Sequence, residues 1–154
     1  MRWLLHPWLT VRTQIGLGLV FVVAALPKIA DPPGFAKAIW MYQLTPAWSL
    51  HPAALVLPWL ELACGLALCL GVWKRAAAGW IAALLLAFTL ALSINLVRNH
   101  PVDCGCFGTS AAVKSDEERL SDMKRDLLRD LGLLLLAGHV WASGGRPRRR
   151  EARR

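Results

Sequence analysis

Charge is scarce in this sequence over long, well-defined stretches. None occurs from Ala76 to Val97, only Glu61 from Pro52 to Trp73, and only Lys28 from Thr13 to Ala30. Yet the chain carries 18 Lys and Arg against 10 Asp and Glu, a formal charge of +8, with 56% hydrophobic residues. Charge is therefore confined to ends and connections. This excludes an ordinary soluble domain, since the core of a 154-residue chain is too small to bury uncharged runs of that length. Nucleotide and flavin motifs are lacking, as is any internal repeat.

Four segments are expected to span a membrane: 13–30, 52–73, 76–97 and 127–143. A spanning helix needs about 20 mostly apolar residues. The fourth segment is the weakest, because Arg129 and Asp130 lie near its start. Ser115 followed by Glu118 reads as a capping box, opening a helix that runs into this segment. The expected fold is all-α, a single-domain polytopic membrane protein built as a four-transmembrane-helix bundle. The first segment is read as retained, because Lys28-Ile29-Ala30 puts a lysine where signal cleavage wants a small residue.

Basic residues set the expected orientation. Arg2 and Arg12 precede the first segment, Lys74 and Arg75 follow the second, and the 144–154 tail holds Arg146, Arg148, Arg149, Arg150, Arg153 and Arg154. By the positive-inside rule both termini are cytoplasmic, and the connections 31–51 and 98–126 face outward. The tail is read as contacting anionic membrane lipid, with no nucleic acid partner. Phe35, Trp40, Tyr42 and Trp48 in the first outer connection read as an interfacial aromatic belt, or alternatively as walls of a shallow outer site.

The second outer connection contains Asp103-Cys104-Gly105-Cys106-Phe107-Gly108. In an extended chain two cysteines so spaced lie near the roughly 6.8 Å limit for a disulfide, and a turn at Gly105 brings them closer. The small ring would be strained, and strained, exposed disulfides are the exchange-prone kind. Redox exchange by Cys104 and Cys106 is thus the favoured chemistry, in a compartment where disulfides persist. A structural clip, a half metal site with His100 and His51, and idle thiols are the other readings. No metal is assigned, because structural zinc wants four ligands at wider spacing. Arg98 and His100 stand near enough in sequence to favour a thiolate, while Asp103 opposes it.

Within the apolar segments, Glu61 is the least expected residue. An intramembrane carboxylate is costly and calls for a partner, for which Lys28 is the best candidate and Asn95 a second hydrogen-bonding wall. The pair is read either as functional or as helix glue. Cys64 and Cys69 face different sides of one helix and read as core filler, with Cys64 alternatively lining a cavity beside Glu61. His139 lacks an evident mate to ligate a haem.

The residues Arg12, Gly16, Phe21, Lys28, Asp31, Phe35, Tyr42 and Pro46 resemble the opening of the MauE/DoxX-like membrane proteins. So do Pro58, Glu61, Leu62 and Gly65, and above all Arg98 followed by the Cys104-Gly-Cys-Phe-Gly108 run. The likeness covers roughly Arg12 to Trp141 and leaves the Arg-rich tail outside. It implies disulfide chemistry at the outer face. Cys104 and Cys106 are the expected reacting residues, and Lys28, Asp31, Glu61, Arg98 and His100 are assigned to binding or support. The MauE branch is associated with maturation of the disulfide-rich small subunit of methylamine dehydrogenase, beside a thioredoxin-like partner.

The expected protein is a thiol–disulfide protein of the bacterial inner membrane, working with a periplasmic thioredoxin-fold partner or a disulfide-containing client. A quinone is one candidate electron sink, on architectural analogy with membrane disulfide generators. The rival expectation is a non-enzymatic scaffold or small transporter subunit with a structural Cys-Gly-Cys disulfide.

Overall fold

The computed structural model describes residues 7–100, 102 and 115–144. These form five helices, α1 (Pro7–Ala30), α2 (Pro32–Met41), α3 (Ala47–Leu70), α4 (Lys74–Val97) and α5 (Asp116–Ser143), and no strand occurs among the described residues.

Local chemistry explains most of the boundaries. Pro32 disfavours a helical Asp31, so α1 stops at Ala30. The Asp31 carboxylate then accepts from the Gly34 amide at 2.9 Å, and Pro32 and Pro33 fill the first turn of α2, where prolines cost no hydrogen bond. A helix therefore occupies much of the 31–51 connection. The prolines open α2 rather than break the chain. α3 ends at Gly71, whose φ of 71° is the left-handed conformation glycine tolerates. There the Val72 amide donates back to Ala67 and the Gly71 amide to Leu68, the paired bonds that close a helix end. Lys74 and Arg75 fall in the first turn of α4, on the unfavourable pole of its dipole, so helix electrostatics do not account for their position. Ser115 and Glu118 form a complete reciprocal capping box at the start of α5.

The long helices close a ring. α1 packs most extensively on α3, and α4 on α5, while α3 meets α4 and α5 returns to α1. α2 lies across the end of this ring against α3 and α1. The α1–α3 crossing is close, since a Cβ at Gly18 would stand 2.7 Å from the Gly65 carbonyl and one at Gly65 would stand 2.8 Å from that of Gly18. Small residues allow this approach, which gains dispersion contacts that apolar solvent does not supply. Leu17, Phe21, Leu68, Ala78, Ile81, Ala137 and Val140 fill the main core. A second cluster at the α2 end joins Tyr42, Leu92, Val102 and Met123.

α1, α3 and α4 are long and apolar enough to cross a membrane, which marks a membrane protein. Their outward faces carry Leu19, Val23, Leu26, Leu55, Val56, Leu86 and Leu90, all exposed, as lipid contact requires. The aromatic residues of 31–51 divide. Trp40 and Trp48 are exposed and fit an interfacial belt, whereas Phe35 (1% exposed) and Tyr42 (6%) are core residues. Packing of α2 onto the ring turns those two inward.

Candidate functional site: a buried charge cluster inside the helix ring

α1 and α3 bring Lys28 and Glu61 together in the interior. The Lys28 ammonium donates to both Glu61 oxygens, at 2.9 Å and 2.8 Å, with each side chain 3% exposed. Phe35 of α2 and Phe88 of α4 present their rings to the same ammonium at 5.1 Å and 5.3 Å. The aromatic faces offer negative charge density to a cation that has lost its water. Four helices thus contribute to holding one lysine.

α5 supplies a second pair beside the first. Asp130 is 4% exposed and accepts from Arg129 at 3.4 Å, while Arg129 also bridges to Asp126 at 3.0 Å. Lys28, Glu61, Arg129 and Asp130 line one small cavity of about 40 Å³, completed by Val20, Phe21, Ala24, Leu85, Phe88 and Leu133. That volume admits water, and the lining offers it polar partners. On the far side of Phe35 and Phe88 lies an apolar cleft of about 160 Å³, walled also by Ile39, Tyr42, Leu57 and Leu84. Tyr42 and Phe35 therefore wall this cleft as well as packing in the core.

The remaining sequence-derived residues fall out separately. Asp31 caps α2, three residues past Lys28 in the chain and on its α2 side. Arg98 is exposed at the end of α4. His100 is half-buried and its Nδ1 is buried without a partner among the described residues. Neither side chain lines the charged cavity. Cys104 and Cys106 lie outside the described residues. Of the described residues nearest to them in the chain, Val102 is 1% exposed with its amide 3.5 Å from the Met123 sulfur, and Ser115 caps α5.

One expectation needs correction. Asn95 does not reach Glu61. Its amide nitrogen donates to the Tyr42 and Ala91 carbonyls at 3.3 Å and 3.0 Å, pinning α4 to the end of α2. Cys64 packs in the main core, as its reading as core filler expects, and does not line the charged cavity, while Cys69 is half-buried against the backbone at Gly18. Arg129 and Asp130 were legible only as a flaw in an apolar run. Their signal was available, since an intramembrane charge calls for a buried partner.

Three long apolar helices packed around a buried charge pair mark a polytopic membrane protein. The sequence model of the family described as "Methylamine utilisation protein MauE" matches residues 6–143. The chain belongs to that family. It is 38% identical over 108 residues to the methylamine utilization protein MauE of Methylorubrum extorquens, covering 70% of this chain and 58% of that one. The MauE proteins of Paracoccus denitrificans (37% over 105 residues, 68% and 56% covered) and Methylophilus methylotrophus (35% over 101 residues, 65% and 53% covered) are similarly related. The chain spans little more than half the length of these relatives. No solved structure matches significantly.

Proposed function

We propose that this chain is a four-span thiol–disulfide protein of the bacterial cytoplasmic membrane, which supports maturation of a disulfide-rich periplasmic client in methylamine utilisation. α5 is the fourth crossing. Its charged residues occupy the first turns, Arg129 and Asp130 turn inward, and Leu128, Leu131, Leu135, Leu136 and Trp141 form an exposed apolar face. In water such a face would be a liability, and in lipid it is the expected surface. At 28 residues α5 is about 42 Å long, enough to cross a hydrocarbon core of about 30 Å and project beyond it. Four crossings put the basic tail and the Lys74–Arg75 turn inside, and the α2 end outside.

The Cys-Gly-Cys pair in a family associated with client maturation carries the reading. The described residues that flank it in the chain, Val102 and Ser115, support this reading, since Val102 packs with Tyr42 at the α2 end and Ser115 opens α5. A client thiolate attacks the Cys104–Cys106 disulfide, forming a mixed disulfide and freeing one thiolate of the pair. The client's second thiolate then resolves it, leaving an oxidised client and a reduced pair. A two-electron acceptor of the quinone class, or an oxidised thioredoxin-fold partner, restores the disulfide. Lys28 and Glu61 tie α1 to α3 beneath this end, Asp31 fixes α2, and Arg98 and His100 support the connection that carries the pair.

The test is to trap the intermediate. Cys104→Ser and Cys106→Ser chains, tagged and expressed with the client, are acid-quenched, alkylated and separated without reductant. One of the two variants should yield a client adduct that reductant releases. Adducts in neither variant would leave the scaffold reading in its place.

A further inference from the structure

One stripe of α5 carries Glu118, Asp122, Asp126 and Asp130, each four residues from the next. Residues so spaced are neighbours along a helix face, about 6 Å apart in rise. Burial deepens in the same order, from exposed Glu118 through half-buried Asp122 and Asp126 to Asp130 at 4%. The stripe runs from the α2 end of the bundle down to the charged cavity of about 40 Å³.

The charges facing Asp130 come from three helices: Lys28 of α1, Glu61 of α3, and Asp126 and Arg129 of α5 itself. α4 contributes only Leu85 and Phe88 to the cavity. Lys28 is engaged by both Glu61 oxygens, and Arg129 stands closer to Asp126 (3.0 Å) than to Asp130 (3.4 Å). Asp130 is thus a deeply buried carboxylate whose nearest cation is shared. A buried carboxylate in that position is relieved by a proton when water can bring one.

We propose that Asp130 is a proton-exchanging site, reached from the α2 end along Glu118, Asp122 and Asp126 through water in the cavity. The step forms one O–H bond on the Asp130 carboxyl, with the proton drawn from solvent and passed between carboxylates by intervening water. The charge-assisted contact with Arg129 is lost, and no electrons move. Such a site would hold or return a proton that thiol–disulfide exchange at the same end releases or consumes, and in this respect it rests on the function proposed above.

Infrared difference spectroscopy of the full chain in lipid nanodiscs tests it. At about pH 6, exposed carboxylates are ionised, since they titrate near 4. The expected result is a protonated-carboxyl band at that pH that shifts in D2O, shifts again when only aspartate is carbon-13 labelled, and is lost in Asp130→Asn. Labelling assigns the band in the unaltered protein should that variant misfold. No band, a band insensitive to aspartate labelling, or one that survives Asp130→Asn would overturn the proposal. The band should persist in Cys104→Ser, so its absence would fault this site without touching the thiol chemistry.

Discussion

Lys28 and Glu61 each lose their water in the folded chain, and their mutual attraction must offset that loss together with the Phe35 and Phe88 faces. Removing one partner leaves the other uncompensated, so Glu61→Gln should destabilise the fold by about 3 kcal/mol. Adding Lys28→Gln should recover part of that loss, as measured by thermal or denaturant unfolding in detergent. Simple addition of the two losses would show them uncoupled. This pair was legible in the sequence because each charge stands alone in an apolar run. Asp130 was not, because beside Arg129 it resembles a helix entering the membrane rather than a group turned inward. Asn95 was recognised as an interior polar residue, but its partners are backbone carbonyls of α2 and α4, which sequence spacing does not reveal.

Among the elements, the crossing of α1 and α3 depends on the absence of two side chains. Gly65→Val would place atoms where the Gly18 carbonyl stands, forcing the helices apart. The expected cost is about 1–3 kcal/mol, with lower expression or melting temperature as the readout and Gly138→Ala, which meets open space, as the control. α5 is less apolar overall than the other long helices because its charges divide between the first turns and an inward face, beside an apolar outer surface. If it crosses, a membrane-impermeant thiol label applied to intact cells should reach Ser110→Cys and not Pro147→Cys, in chains lacking the native cysteines. Labelling of the second position would remove the fourth crossing. α2 escaped the sequence reading because Pro32, Pro33 and Gly34 look like a break, whereas Asp31 ahead of them supplies the cap that makes them a helix start.

At the scale of the molecule, one end of the ring of long helices holds α2, Val102 and the start of α5, and the other holds the Lys74–Arg75 turn and the end of α5. The charge cluster lies below the first of these ends. The fold class and family could be read from apolar runs and short motifs, while the cavity shared by α1, α3, α4 and α5 appears only on assembly. The central claim is that the Cys-Gly-Cys pair performs exchange rather than fastening a loop. The most direct measurement is the disulfide state of the periplasmic client in cells whose own copy is replaced by single variants. Cys104→Ser and Cys106→Ser should each leave the client with unformed disulfides despite normal levels of the membrane chain, while Cys64→Ala, in the core, and Cys69→Ala, half-buried on the same helix, should leave maturation nearly intact. Normal client disulfides in both Cys104→Ser and Cys106→Ser cells would contradict the account.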